Sequence, residues 1–187
     1  MTWKDVTTEK YIQIENIYNT ENDIIDKTVA IISILFDVEY NNNMSLQDYY
    51  NYLNQITFLK EAIPTVDVKK RYGSYILDKN LSNISLTQFI DFKTYALQND
   101  IIGCISVFLI PKGCKYLEGY NIEEIKDFIG KMSITETLSI YQFFFLYFKR
   151  YTVLSLLYIH LKTKQKQRKK RLKQIFKKLF TWKCKTL

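Results

Sequence analysis

Ser133-Ile134-Thr135-Glu136 opens a stretch that continues through Leu138–Leu161, LSIYQFFFLYFKRYTVLSLLYIHL, into Lys162–Lys178, KTKQKQRKKRLKQIFKK. No Pro or Gly interrupts it up to Trp182. A Ser/Thr start with a Glu three residues on, followed by an unbroken run, is a helix signature. The stretch therefore predicts one long C-terminal helix that is apolar first and cationic afterwards. It sets the fold class: mainly α, a helical bundle with a small β-hairpin over about residues 65–78 and a long C-terminal helix.

The apolar half invites a membrane reading, since a span needs roughly 20 apolar residues. Lys149-Arg150 sit in its middle, however, and each cation there would cost about 2.5–3.5 kcal/mol on insertion. A bundle helix, or one docked on a partner, fits better. Residues 1–161 are thus expected to form a helical domain and 162–187 a basic amphipathic helical tail.

The net charge of +8 belongs to that tail. Twelve of the 27 Lys/Arg lie from Lys162 onward with no acid among them, leaving 15 bases against all 19 acids, a balance of −4, in residues 1–161. A basic arm on a mildly acidic body implies an electrostatic partner, or an arm that only solubilises or returns to its own body. Within the arm, Leu172, Ile175, Phe176, Leu179 and Phe180 form a one-sided stripe with Lys173, Lys177 and Lys178 opposite. Such a helix can lie on an anionic surface, meet nucleic-acid phosphates, or enter a partner's groove. Lys162–Arg171 contains no aromatic residue, so base-stacking recognition is disfavoured. The expected contact residues of the arm are Lys169, Lys170, Arg171, Lys173, Phe176, Lys177, Lys178, Phe180 and Trp182.

The rest of the chain reads as short helices. Thr7 or Thr8 caps a helix to about Tyr18, with Tyr11, Ile14 or Ile12, and Ile17/Tyr18 on its apolar side. Glu21-Asn22-Asp23 puts acids in the first turn of another, which suits the helix dipole, and that helix ends at Phe36, although β-branched Val29–Phe36 also suits a strand. Ser45-Leu46-Gln47-Asp48 opens a helix carrying Leu46, Tyr49/Tyr50, Leu53, Ile56 and Leu59/Phe58, stopped at Ile63-Pro64. Val66 and Val68 alternate with Asp67 and Lys69 before Tyr72-Gly73-Ser74-Tyr75, the hairpin candidate. Ser85-Leu86-Thr87-Gln88 is a capping box, with Phe89, Ile90, Phe92 and Tyr95 as the apolar positions that follow. Ile101–Ile110 is almost wholly apolar; its length suits a buried helix, and a central strand stays open. Asn121-Ile122-Glu123-Glu124 opens a helix to about Gly130.

Chemistry is sparse. His160 is the only histidine, and Cys104, Cys114 and Cys184 lack CxxC spacing, so neither a Cys/His metal site nor a disulfide framework is expected. Met1-Thr2-Trp3-Lys4-Asp5 carries no apolar signal-peptide core. No Gly-rich phosphate loop follows a strand. The expectation is a protein that is not an enzyme and has no cofactor.

The order of several pieces resembles a known group. They are Trp3, the Thr7-Thr8 helix start, Ile63-Pro64, Ile84-Ser85-Leu86-Thr87-Gln88-Phe89-Ile90-Asp91, Leu109-Ile110-Pro111-Lys112-Gly113, Tyr116, Gly119-Tyr120-Asn121-Ile122-Glu123-Glu124, Met132-Ser133 and Phe143-Phe144-Phe145. Together, over roughly residues 3–160, they resemble small proteins of tailed phages of gut Bacteroidetes, crAss-like phages included, that are labelled tail assembly chaperone-like or structural-module proteins. The resemblance implies a non-enzymatic role in virion assembly. It implies binding to the tape-measure protein or another phage structural protein in the host cytoplasm, or, alternatively, a structural place in the virion near the tail or packaged DNA. A client's apolar stripes would be covered by Phe143, Phe144, Phe145, Tyr147 and Phe148. The arm lies outside the resemblance; non-specific nucleic acid or an anionic membrane surface remain partners that its charge alone would suit. Assembly into oligomers is compatible with either role.

Overall fold

The computed structural model describes residues 1–20, 23–39, 44–79 and 84–149. The chain divides into two units, Met1–Phe143 and Phe144–Leu187. The fold is mainly helical with a small antiparallel sheet, as the sequence predicts.

Helices begin where a short polar side chain replaces a missing backbone partner. Thr7 accepts from Lys10 N at 3.3 Å and starts α1, Thr8–Tyr18. Asp23 accepts from Ile25 N at 2.7 Å and starts α2, Ile24–Phe36. Ser45 accepts from Asp48 N at 3.1 Å and starts α3, Leu46–Gln55. Ser85 and Gln88 form a full capping box, each side chain accepting from the other's backbone N–H, and start α4, Leu86–Leu97. Asp100 starts α5, Ile101–Ser106, and Asn121 starts α6, Ile122–Lys131. Residues 134–149 are helical and are called α7. The basic arm and the continuity of the last helix past Leu161 lie outside the described residues.

The first unit has two centres. One is built on Trp3, held in a short 3-10 turn, Trp3–Asp5. Its ring meets Phe58 edge-on at 5.2 Å and Tyr11 at 6.1 Å, and its Nε1 donates to Glu61 O at 3.1 Å. Val6, Ile14, Ile31, Ile32, Leu35, Ile56 and Ile134 complete this cluster. Lys10 locks α1 to the end of α2, donating to Leu35 O at 3.2 Å and pairing with Asp37 at 2.7 Å. A cation at the carbonyl end of a helix is electrostatically favoured.

The other centre is α5 with the strand that follows it. Cys104, Ile105, Val107, Phe108 and Leu109 are all buried. The Ile101–Ile110 run is not one helix: α5 stops at Ser106, and Leu109–Pro111 forms β3. The buried-helix alternative holds for Ile101–Ser106, while the strand that follows lies at the edge of the sheet and is not the central strand also considered. β1, Arg71–Tyr72, pairs with β2, Tyr75–Leu77, across the two-residue turn Gly73-Ser74, and β2 pairs with β3. Gly73 has φ +56°, which places glycine at the first central position of the turn as tight hairpins prefer. α5 packs between α4 and α6. Gly103 permits this closeness, because a Cβ there would overlap the Tyr95 ring and the Asp100 carboxylate.

Three details depart from the sequence reading. α3 ends at Gln55 rather than near Ile63, and the chain tightens into a 3-10 turn, Thr57–Lys60. Thr57 Oγ1 donates to Asn54 O, and the turn carries Phe58 into the Trp3 cluster. Val66 and Val68 lie outside the sheet. Side chains take their backbone groups instead: Val66 N donates to Ser139 Oγ at 2.9 Å, Lys69 N to Tyr72 OH at 2.9 Å, and Lys79 Nζ to Val68 O. Third, Ile90 and Leu46, expected on buried faces, are 52% and 76% exposed.

The two chain ends of the first unit are tied at the entrance of α7. Thr8 N donates to Met132 O, and Ile134 N to Val6 O, each at 2.9 Å. The fully buried hydroxyls of Thr8 and Thr137 lie 2.7 Å apart, and Thr8 Oγ1 also donates to Met132 O at 3.1 Å. Thr8→Val is expected to destabilise by about 1–3 kcal/mol, because it strands buried polar groups. Thr8→Val/Thr137→Val should cost less than the sum of the single changes, a coupling that urea denaturation of the four-member cycle would measure.

Candidate functional site

The aromatic run of α7 divides by helical phase. Phe144 and Phe148, four residues apart, are 1% and 7% exposed. Phe143 is half-buried. Phe145 and Tyr147 face outward, as does Leu146, a residue the sequence reading passed over. Of the five expected contact residues, two are therefore exposed. The contact residues of the arm, from Lys169 to Trp182, lie outside the described residues, as does His160.

A second outward face lies on α4. Leu86, Ile90 and Leu97 are 74%, 52% and 86% exposed. Their spacing, completed by Lys93, runs 4-3-4 and places them on one side of the helix. Gln88 and Phe92 occupy the opposite, buried side, where Gln88 Nε2 donates to Val107 O at 3.1 Å. That inward Gln is why the helix can bury a polar residue and show leucines: the capping box fixes its phase. The 4-3-4 pattern is visible in the sequence, but the first turn of the helix reads inward unless Gln88 is known to be buried.

A cleft of 340 Å³ opens between α1 and the Leu59–Ile63 segment. Its walls include Trp3, Tyr11, Ile14, Leu59 and Ile63, and Glu15, Tyr18 and Glu61 stand at it. Burial, and then the Glu15 carboxylate, push the Tyr11 phenol up from its ordinary value. A larger cleft of 440 Å³ at the sheet is lined by Lys70, Ile76, Lys79, Ile110 and Cys114. The larger one also has Asp78 in its lining, so the Cys114 thiol shares that cleft with a carboxylate and two lysines.

The titratable groups read as structural. Tyr116 OH donates to Asp91 at 2.7 Å, and burial followed by that carboxylate raises its ionisation well above the phenol range. Burial pushes the Cys104 thiol up to about 12. A thiol held protonated is a poor nucleophile. Alkylation with iodoacetamide near pH 8 should label half-buried Cys114 and leave Cys104 unlabelled until the protein is unfolded, as read by peptide mapping.

Among the described residues, no group of three or more His, Cys, Asp or Glu is placed to hold a metal ion. Nor is any described helix long and apolar enough to cross a membrane. No family model, curated protein or solved structure matches the chain.

Proposed function

We propose that this protein is a binding protein of phage tail morphogenesis, an assembly chaperone that covers apolar helical stripes of the tape-measure protein. The observation that supports this most is the outward apolar face of α4, Leu86–Ile90–Leu97, with Leu146 and Tyr147 on α7 as a further exposed set. Burying a leucine against a client contributes roughly 1.5–3 kcal/mol, so three on one face give a helix-docking surface useful strength. The family resemblance supplies the client. The arm, including Lys169–Arg171 and Lys173, would add contacts to acidic client segments, and these should weaken with salt.

Co-expression with the tape-measure protein of the same genome tests the reading. The expected result is co-purification and a gain in client solubility. A virion-resident, DNA-proximal protein is the competing reading, favoured by the twelve cations after Leu161. Mass spectrometry of purified particles separates them: a chaperone should be absent or present in traces, and a structural protein present in stoichiometric amount.

A further inference from the structure

We infer that the cleft between α1 and Leu59–Ile63 is a self-association site that receives the basic amphipathic stretch Lys169–Trp182 of a second copy of this chain. The inference is independent of the chaperone reading.

The receiving side has an aromatic and aliphatic interior and an acidic rim. Trp3 is fixed there by its hydrogen bond to Glu61 O and its edge contacts with Phe58 and Tyr11. Ile14, Leu59 and Ile63 supply the aliphatic wall. Glu15 and Glu61 are exposed, and among the described residues neither has an ion-pair partner. No lining residue is a cation; the nearby Lys27 is engaged with Tyr18 O at 3.3 Å. Such a cleft selects a ligand that offers apolar side chains and lysines together. Lys and Arg stems can lie on aromatic walls while their heads meet carboxylates.

The chain carries that ligand in its own sequence. Lys169–Trp182 interleaves Leu172, Ile175, Phe176, Leu179, Phe180 and Trp182 with six bases and no acid among its residues, whereas residues 1–161 have a balance of −4. Opposite charge on the two halves of one chain favours head-to-tail pairing of copies and disfavours pairing of like halves. A head-to-tail contact is heterologous, so it extends to rings or open chains rather than stopping at a dimer.

Sedimentation velocity of the full chain tests this. At about 50 mM salt the weight-average mass should exceed the 22.4 kDa monomer and rise with concentration, and at about 500 mM salt it should fall to the monomer. Glu15→Lys/Glu61→Lys should weaken association at least about tenfold, a loss of about 1.4 kcal/mol, at low salt. The charge-matched control Glu118→Lys/Glu124→Lys should leave it unchanged. A synthetic peptide of residues 169–182 in excess should return the wild type to monomer. Circular dichroism of each variant establishes that it is folded. A monomer at every concentration and salt would overturn the inference, as would equal weakening by the two double variants, or association that the peptide does not compete away.

Discussion

Trp3→Ala is expected to destabilise the protein by about 3–5 kcal/mol, the cost of removing a large buried aromatic side chain. The indole is 8% exposed and joins elements far apart in sequence, through Tyr11 in α1 and through Phe58 and Glu61 in the turn after α3. Its loss opens a cavity and releases the 3-10 turn that leads into Val6, which is itself buried and whose carbonyl accepts from Ile134 N. Trp3→Phe should cost clearly less, since it keeps the ring contacts and gives up one hydrogen bond, whose net contribution is about 0.5–1.5 kcal/mol. Urea denaturation followed by circular dichroism measures both. A Trp3→Ala cost under about 1 kcal/mol would show that the cluster does not depend on the indole.

Phe108→Ala should have a similar effect, about 3–5 kcal/mol. The ring is fully buried and meets Phe92 at 5.5 Å with a 54° tilt. Phe108 also sits where α5 gives way to β3. Its N–H donates to Ile105 O, closing the helix, and its carbonyl accepts from Asp78 N beyond β2. The substitution therefore removes packing between α4 and the turn that starts the third strand. Phe108→Leu should recover a large part of the loss, because it refills most of the space. Amide exchange would locate the weakening, with faster exchange expected at Leu77 and at the α5 amides.

How much of this was readable in advance follows from the range of the forces involved. The starts of α1, α3, α4 and α6 are local: a capping oxygen reaches a backbone N–H two or three residues away, and Thr7, Ser45, Ser85 and Asn121 announce it. The hairpin turn is local too, since Gly73 supplies the conformation it needs. The split of Ile101–Ile110 was not readable, because an all-apolar run carries no period. Its division depends on β2, whose partners Ile110 and Leu109 lie more than thirty residues away. Likewise α3 stops early because Phe58 is drawn to Trp3, a contact without a sequence signature. On the surface, amphipathic phase was legible only where a polar residue marked the outside. Buried Gln88 on α4 inverted that cue and hid Leu86 and Leu97, whereas the consecutive aromatics of α7 gave no phase at all. Phe144 and Phe148 could be separated from Phe145 and Tyr147 only by the helix itself.

The most direct test of the chaperone reading measures client binding by the α4 face. The client's affinity would be compared, by pull-down at fixed salt, between the wild type and Leu86→Asp/Ile90→Asp/Leu97→Asp. The substituted side chains are exposed, so the fold should persist, as circular dichroism can verify. Losing even half of the burial that three leucine-sized side chains offer amounts to about 2–4 kcal/mol, which predicts a loss of affinity of at least about thirtyfold. Tape-measure binding that is equally tight in the wild type and the triple variant would contradict the assignment of this face, and a wild type that binds no tape-measure protein at all would contradict the chaperone reading itself.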